Sequence, residues 1–398
     1  MGRSVTARKP RDPDPNSGLV QLDFDQWIEK LADHDAARPA RNVLWCLLAL
    51  MGLGFLLQVG HAANLAEPDE YAAILRTELR DRGLAILALF GGVRLGLARV
   101  REWTPAAVLV ALALLIGVLL FAEPVNGSKR WLNVGISIQP SELARIALVL
   151  WVAHTSVLLG ERITTLKGML RVFLPALVIC LPVLMQPDKG GFGVMFVCAC
   201  ATMWIGGVDS SKVALPFFVL VSGALALTMS DPYSRNRLDM WLGDVQNEQV
   251  EQGLTALANA GVSGQGLGFG ELRERGVPYM DSDYVFALVG EELGWFGLAL
   301  VLGLFAGLFW NGFRTVLSLK DRFEAVAASG LFLSVGMQTL VHLGSVCGLF
   351  PPKGMTLPFL SDGGTSLLVS SLGVGLALGA ARQTSDSSES CSPSNATA

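Results

Sequence analysis

The sequence is short of charged residues. Only 16% of its 398 residues are charged, and 52% are hydrophobic. Soluble globular proteins carry about 25% charged residues, so this composition excludes an ordinary soluble domain. We expect a protein that resides in a lipid bilayer and has no nucleic-acid partner.

Residues that bind metals or form disulfides are also sparse. Six cysteines are present, most of them in or beside apolar segments, and none forms a C-x-x-C pair. Packing is therefore their expected role. His154 and His342 lie singly within apolar runs, where we expect hydrogen-bonded packing, so no metal site is predicted. An internal repeat is not visible, which argues against the inverted-repeat transporter folds.

Long apolar runs are what the sequence does have. Runs of about 17–25 residues are typical of membrane-spanning helices, and about ten of them predict an all-α integral membrane protein. They cover residues 43–60, 82–98, 104–122, 142–159, 169–185, 191–207, 212–229, 284–310, 325–348 and 363–381. Ten spans place both termini on one side. That side holds more Lys and Arg, so we expect both termini in the cytoplasm.

Three polar stretches flank or interrupt the predicted membrane domain, residues 43–381. Residues 1–42 form a predicted cytoplasmic extension with one amphipathic helix. Its apolar face consists of Leu22, Phe24, Trp27, Ile28 and Leu31. Residues 230–283 form a predicted large extracytoplasmic loop between helices 7 and 8, with enough Leu, Ala and Val for a short helix lying on the membrane. Residues 382–398 are low in complexity and predict a disordered cytoplasmic tail.

Residues 126–151 combine two cations beside an aromatic residue with an internal charge pair. Lys129 and Arg130 directly precede Trp131. Glu142 and Arg145 are three positions apart on a predicted helix, so they lie on one face and neutralise each other. The block is either an interfacial anchor with a buried ion pair or a cationic cradle for an anionic lipid headgroup. The second interpretation follows because Arg offers paired donors to phosphate oxygens.

Carboxylates at the ends of apolar runs are a second feature. Asp188 lies in a predicted turn, QPDKGGFG, where it either caps a helix or binds a cation; that block alone favours capping. Asp283 begins the eighth span and is a candidate helix cap or general base. Glu291 and Glu292 lie two turns further in, where carboxylates are costly and usually functional. We expect at least one of them to face the interior, toward a cation such as Arg145.

Residues 348–368 contain three prolines that prevent a continuous helix. This pattern fits an irregular or re-entrant loop that lines a cavity. Lys353 is the only cation of the block and is a candidate phosphate ligand. Ser361, Gly363 and Gly364 open the tenth span at a helix N-terminus, a natural anion site. The glycine run at 264–270 lacks the G-x-G-x-x-G spacing of a nucleotide loop, and we interpret it as flexible.

Together these blocks resemble, in order and across nearly the whole membrane core, the SEDS family of bacterial cell-wall polymerases (shape, elongation, division and sporulation proteins). The matching elements are NG..RW…QPSEL.R, QPD.G, D-[YF]-x-FA-x-x-x-EELG and P.KG.TLPF.S.GG.S. The lysine in PPKGMTLPF is more similar to the division-type, FtsW-like branch than to the elongation-type, RodA-like branch.

The resemblance implies a peptidoglycan glycosyltransferase of the bacterial inner membrane that polymerises lipid II, an undecaprenyl-diphosphate-linked disaccharide peptide, at the division septum. It implies that Asp283 deprotonates the acceptor 4-hydroxyl. It also implies that Lys129, Arg130, Arg145 and Lys353 stabilise the diphosphate leaving group. The implied partners are a class B penicillin-binding transpeptidase, other division proteins and membrane lipids. No cofactor is implied with certainty, and the resemblance leaves room for a divalent cation.

The sequence departs from the family pattern at several positions. Asp281 stands where His is usual, His342 where Asn is usual, and Asp362 where Tyr is usual. Asp281 either shares a proton or cation with Asp283 or is a solvated loop residue, and we favour the latter. The alternatives to a division-type polymerase are an elongation-type polymerase and a lipid II flippase. A flippase needs polar residues along a path through the membrane, whereas these blocks cluster at one predicted face.

Overall fold

The protein is a bundle of apolar helices, described by a computed structural model over residues 37–65, 68–123, 129–133, 137–243, 248–274 and 280–390. The helices are α1 (Ala37–Leu65), α2 (Pro68–Phe121), α3 (Pro140–Leu159), α4 (Leu166–Met185), α5 (Lys189–Ile205), α6 (Ser210–Ser230), α7 (Pro232–Leu242), α8 (Glu248–Ala258), α9 (Glu271–Glu274), α10 (Met280–Asp283), α11 (Val285–Leu317), α12 (Arg322–Val346) and α13 (Gly364–Ser390). A 3-10 turn at Gly160–Thr164 joins α3 to α4. Within these ranges the only strands are β1 (Leu132–Asn133) and β2 (Ser137–Ile138), an antiparallel pair.

Seven of the described helices are long and apolar enough to cross a membrane, and α5 and α6 contain shorter apolar stretches. The 54-residue helix α2 consists of two segments, because its backbone leaves the helical region at Gly96, with φ 65° and ψ 164°. Each of the ten predicted spans therefore coincides with a helical segment. The predicted all-α, multi-pass membrane architecture is confirmed.

The connection between the second and third predicted spans differs from the expectation. The sequence placed a charged loop at 99–103, whereas the structure has a single-residue break at Gly96 and is helical from there on. Arg101 has a partner within the bundle, because its guanidinium lies over the ring of Phe323, 5.2 Å from its centroid. The left-handed backbone at the break explains why a glycine is present.

The last helix is longer than the predicted tenth span. Helix α13 continues to Ser390, past the predicted end of the last span at 381. No glycine or proline follows Gly379 in this stretch, so nothing in the local sequence ends the helix earlier. The predicted amphipathic helix near the N-terminus lies outside the described residues.

Glycines allow α2 and α13 to pack with their backbones in contact. Gly92 and Gly96 in α2 are four residues apart, as are Gly375 and Gly379 in α13, which is the small-residue spacing typical of close helix pairs in membranes. A β-carbon on Gly92 would lie 2.8 Å from the backbone of α13, and one on Gly375 would collide with the carbonyl oxygen of Leu89. This contact fixes the position of α13, whose first residues follow the irregular connection after α12.

The long segment between α6 and α11 folds back onto the bundle. The segment contains short helices, of which α8 packs against α11 and α12; that a helix of this region lies on the membrane stays a prediction. The contact is close because Gly253 faces the ring of Tyr284, where a β-carbon would lie 2.9 Å from a ring carbon. This half of the segment is therefore attached to the helix that follows Asp283.

Candidate functional site

Four connections meet at one end of the bundle and bring the predicted polar blocks together. They are the links between α2 and α3, between α4 and α5, between α9 and α11 (which includes α10), and between α12 and α13. Each contributes one charged residue to a single cluster: Arg130, Asp188, Asp283 and Lys353 respectively. We call this set the charge cluster.

Asp188 is the centre of the charge cluster. It is 5% exposed and caps α5, because its Oδ1 accepts a hydrogen bond of 2.9 Å from the Gly191 N–H. The same oxygen lies 3.3 Å from Lys353 Nζ and 3.8 Å from Arg130 Nη1. Burial disfavours ionisation, but the two cations and the N–H of Gly191 outweigh it and lower the pKa of Asp188. The predicted helix cap is confirmed, and the residue also binds two cations of the chain.

Lys353 lies across the first turn of α5. Its ammonium group occupies the space where Gly190 would otherwise carry a side chain. Burial lowers the pKa of Lys353, although the neighbouring charge of Asp188 acts in the opposite direction. The irregular loop predicted from the prolines is confirmed, since residues 351–357 contain no regular secondary structure.

Asp283 ends α10, directly before α11, and its carboxylate lies against the backbone of Gly354, next to Lys353. A β-carbon on Gly354 would collide with that carboxylate. Burial raises the pKa of Asp283, while the positive charges of Arg237, Lys353 and Arg130 act in the opposite direction. A partly buried carboxylate whose pKa is raised by burial, and which lies within range of several positive charges, has the properties of a general base.

Arg237 also belongs to this end of the bundle, and sequence analysis missed it. It lies in α7, where its Nη1 donates a hydrogen bond of 3.3 Å to the carbonyl oxygen of Pro352. Trp241, four residues later, donates from Nε1 to the carbonyl oxygen of Gly348 at 3.1 Å. The Arg-x-x-x-Trp spacing, which places both side chains on one helix face, is the signal that could have identified the pair.

Lys129 and Arg130 are adjacent in sequence but reach different partners. Lys129 Nζ lies 3.5 Å from the carbonyl oxygen of Leu119, near the C-terminus of α2, where a cation is favourable. Arg130 Nη2 instead donates to the carbonyl oxygen of Pro187 at 2.9 Å. Trp131 remains 37% exposed. The predicted cradle is therefore divided, with Arg130 in the charge cluster and Lys129 at the end of α2.

The predicted ion pair between Glu142 and Arg145 is confirmed. Arg145 Nη2 lies 2.6 Å from Glu142 Oε2, and Arg145 is 4% exposed. The start of α3 is tied to α13 by Thr365, whose hydroxyl accepts from the N–H of Gln139 and donates to the carbonyl oxygen of Ser137. These contacts hold the first turns of α3 in place beside α13.

Glu291 and Glu292 accept hydrogen bonds from the backbone of α9 and of the glycine-rich loop before it, residues 261–270. Glu292, which is fully buried, accepts a hydrogen bond of 3.0 Å from the Gly268 N–H. Glu291 accepts from the Leu272 N–H at 3.2 Å. The sequence predicts that one of them faces Arg145. Arg145 instead pairs with Glu142 in its own helix. The two carboxylates thus fasten the loop to α11, which favours a structural role.

The glycine-rich loop enters a break in α11. The helix backbone is left-handed at Gly294, with φ 67° and ψ −160°, and a β-carbon there would lie 2.5 Å from the nitrogen of Gly264. The loop completes the interrupted helical hydrogen bonds, because Gly266 N–H donates to the carbonyl oxygen of Glu292 and Trp295 N–H donates to that of Gly261. The interpretation of these glycines as flexible is wrong; they allow a close backbone approach.

Ser361 connects the proline-rich loop to the helix that carries Asp283. Its hydroxyl donates to the carbonyl oxygen of Ser282 and accepts from the Leu357 N–H, both at 2.7 Å. The next residue, Asp362, donates its N–H to the carbonyl oxygen of Asp281 at 3.1 Å. Two of the departures from the family pattern, Asp281 and Asp362, are therefore direct neighbours.

The N-terminus of α13 is adjacent to carboxylates of the chain itself. A β-carbon on Gly364, which follows Gly363, would lie 2.6 Å from Asp81 Oδ2. Partial burial and the charges of Asp281 and Asp81 raise the pKa of Asp362. A substrate anion at this helix end would meet these carboxylates, so the geometry favours the charge cluster as the anion site. In the parts of the chain that the structure describes, no group of three or more His, Cys, Asp or Glu residues could hold a metal ion.

His342 has the packing role expected from the sequence. Its Nδ1 lies 2.6 Å from the carbonyl oxygen of Met355, and its side chain is 1% exposed. Gln338, one turn earlier on α12, donates to the carbonyl oxygen of Thr356 at 3.1 Å. Helix α12 therefore supports the loop that carries Lys353.

Comparison with known proteins places this arrangement among bacterial cell-wall proteins. Residues 40–386 match the model of the FtsW, RodA and SpoVE family, which is described as a family of cell cycle proteins. The probable peptidoglycan glycosyltransferase FtsW of Tolumonas auensis is 32% identical, over 85% of this chain and 91% of its own length. The stage V sporulation protein E of Bacillus subtilis is 30% identical, over 84% of this chain and 94% of its own length.

Two solved structures have the same fold. A chain from a peptidoglycan synthase complex that coordinates polymerization and crosslinking superposes with a TM-score of 0.71 and 26% identity, over 86% of this chain and 97% of that one. The rod shape determining protein RodA of Thermus thermophilus superposes with a TM-score of 0.64 and 25% identity, over 86% of this chain and 96% of that one.

Proposed function

The chain belongs to the FtsW, RodA and SpoVE family of cell cycle proteins and is a peptidoglycan glycosyltransferase, and on this premise we propose that the charge cluster is its active site. Asp283 is the general base, and Lys353 and Arg130 bind the diphosphate of the donor. The observation that carries the proposal is a partly buried carboxylate, Asp283, that lies against the backbone of Gly354, next to Lys353, within range of the positive charges of Lys353 and Arg130. The substrate that fits this site and the family is lipid II.

In the proposed reaction, Asp283 accepts the proton of the 4-hydroxyl group on the acceptor sugar. The acceptor oxygen forms a bond to the anomeric carbon of the donor, and the bond between that carbon and the diphosphate oxygen breaks. The acceptor oxygen attacks opposite the diphosphate, so the anomeric configuration inverts, and undecaprenyl diphosphate leaves with the electron pair. Lys353 and Arg130 stabilise the negative charge that grows on the diphosphate. Asp188 positions both cations before the substrate arrives.

The family and the neighbouring structures also support a cellular setting, which we propose for this chain. The site lies at the outer face of the inner membrane, both termini are cytoplasmic, and the protein acts at the division septum. The superposed synthase complex coordinates polymerization and crosslinking, which supports a class B penicillin-binding transpeptidase as the partner here.

The test of this function is glycan-strand formation from labelled lipid II by the purified protein with its cognate transpeptidase. We expect polymer that a muramidase degrades to short fragments. A parallel assay measures movement of lipid II across liposome membranes containing the same protein. Transport without polymer would contradict the proposal and support the flippase alternative.

Replacing Lys353 by Gln is expected to lower kcat/KM for lipid II about 10- to 100-fold, because hydrogen bonds to charged groups are worth about 1.5–3 kcal/mol. The measurement is initial polymerisation rate against lipid II concentration. Lys320→Gln is the matched control, since Lys320 is exposed in the connection between α11 and α12, at the other end of both helices. Unchanged kinetics in Lys353→Gln would show that Lys353 does not bind the diphosphate of the donor.

The rate is also expected to depend on pH through Asp283. A general base works only when ionised, and burial raises the pKa of Asp283. As pH falls through this raised pKa, the carboxylate becomes protonated and kcat/KM falls. We therefore expect the acidic limb of the pH–rate profile to lie at higher pH than an ordinary aspartate would give. A limb at or below the ordinary value would argue against this residue as the base.

A further inference from the structure

We propose that Arg237 is a positioning residue for this reaction: from α7 it clamps the loop that follows α12 and places Lys353 beside Asp283. This inference rests on the proposed function of the charge cluster and extends it to the first half of the long segment between α6 and α11. It assigns α7 a part in catalysis.

The clamp consists of two hydrogen bonds from one face of α7. Arg237 Nη1 donates to the carbonyl oxygen of Pro352, and Trp241 Nε1 donates to the carbonyl oxygen of Gly348. The two acceptors lie at the beginning and end of the segment that leads from α12 to Lys353. Holding both carbonyls fixes the path of the backbone directly before the lysine.

The carbonyl groups of the clamped segment accept hydrogen bonds from side chains outside the segment. Pro351 and Pro352 have no N–H group, and the segment contains no helix or strand that would fix its backbone. Ser345, in the last turn of α12, donates to the carbonyl oxygen of Pro351 at 3.4 Å. The position of Lys353 is therefore set by side chains on both sides, with α7 supplying one of them.

Helix α7 is itself anchored next to the charge cluster. Lys189, the residue after Asp188, forms an ion pair of 2.7 Å with Asp231 at the start of α7. Helix α7 thus spans from the first turn of α5 to the loop that carries Lys353. These are the same two elements that Asp188 and Lys353 join within the cluster.

Arg237 also acts on Asp283 through its charge. The charged and titratable groups that face Asp283 are Arg130, Lys353, Arg237 and the neighbouring Tyr284. Burial raises the pKa of Asp283, and the guanidinium of Arg237 opposes that change, as do the other two cations. Loss of Arg237 should therefore move the acidic limb of the pH–rate profile, an effect that loss of backbone packing alone would not produce.

The experiment compares Arg237→Gln, Arg237→Lys and the matched control Arg235→Gln in the complete polymerase with its transpeptidase. Arg235 is exposed on the same helix, two residues before Arg237, and so points in a different direction. We expect Arg237→Gln to lower kcat at least about 10-fold and to move the acidic limb to higher pH. Arg237→Lys should keep the limb in place, and Arg235→Gln should match the wild type.

Trp241→Phe provides a second variant if Arg237→Gln folds poorly, as judged by thermal unfolding. It keeps the aromatic ring but removes the N–H donor, so we expect a smaller loss of kcat and no change in the pH–rate limb. The inference is wrong if Arg237→Gln has wild-type kinetics, or if Arg235→Gln and Arg237→Gln lose activity equally. It is also wrong if Arg237→Gln lowers kcat but leaves the acidic limb of the pH–rate profile where it is in the wild type.

Asp283→Asn separates this inference from the proposed function. If Asp283→Asn remains active, the proposed base is wrong whatever Arg237 does. If Asp283→Asn is inactive and Arg237→Gln is fully active, only the positioning role is lost.

Discussion

Asp283→Asn is expected to abolish glycan polymerisation while leaving the protein folded. Asparagine has nearly the same shape as aspartate but cannot accept the proton of the attacking hydroxyl group. General bases contribute about 10²- to 10⁴-fold to rates, and the cations around Asp283 would then face a neutral side chain. We expect the loss in kcat, with binding of lipid II retained through Lys353 and Arg130.

The measurement is strand formation from labelled lipid II, with thermal unfolding to confirm that the variant is folded. Asp281→Asn is the matched control, since it makes the same change two residues earlier in α10. Its backbone carbonyl accepts from the side chain of Gln58 and from the N–H of Asp362, and these contacts survive the substitution. An inactive Asp281→Asn beside an active Asp283→Asn would show that the base has been assigned to the wrong aspartate.

Gly375→Ala is expected to destabilise the protein and lower its activity together. The added methyl group would collide with the carbonyl oxygen of Leu89, a backbone atom that cannot move without shifting α2. Overpacking of this kind costs about 1–3 kcal/mol. Activity should fall as well, because α13 begins directly after the residues that tie the proline-rich loop to α10, Ser361 and Asp362.

Thermal unfolding in detergent or nanodiscs checks this prediction. Gly373→Ala is the control: its β-carbon would lie 3.5 Å from a methyl group of Leu331, an ordinary contact, so we expect little change in Tm. Equal Tm values for wild type and Gly375→Ala would mean that α2 and α13 can separate without cost.

The membrane architecture could be predicted because a bilayer leaves few choices. Backbone polar groups in lipid must be satisfied within a helix, so each long apolar run predicts a spanning segment. The break in α2 could not be placed in the same way. The charges at 99–103 indicated a loop, but the position of the break depends on Gly379 of α13, which approaches Gly96 from another part of the chain.

The site was predictable only in part, for a related reason. Asp188, Asp283 and Lys353 stand out because charges beside apolar runs are costly and so carry information. Arg237 does not stand out, since an arginine in a long loop needs no explanation. Glu291 and Glu292 looked like partners for Arg145, but Arg145 pairs with Glu142, and each glutamate accepts a hydrogen bond from a backbone N–H group about twenty residues earlier in the chain. Sequence distance gives no hint of such a pairing.

The break at Gly294 has a mechanical consequence. Because residues 261–266 fill the gap in α11 with backbone hydrogen bonds, we expect this stretch to move as part of that helix. Nine residues before the gap, α11 begins next to Asp283. A displacement of residues 261–266 is therefore expected to shift the first turns of α11, and Asp283 with them.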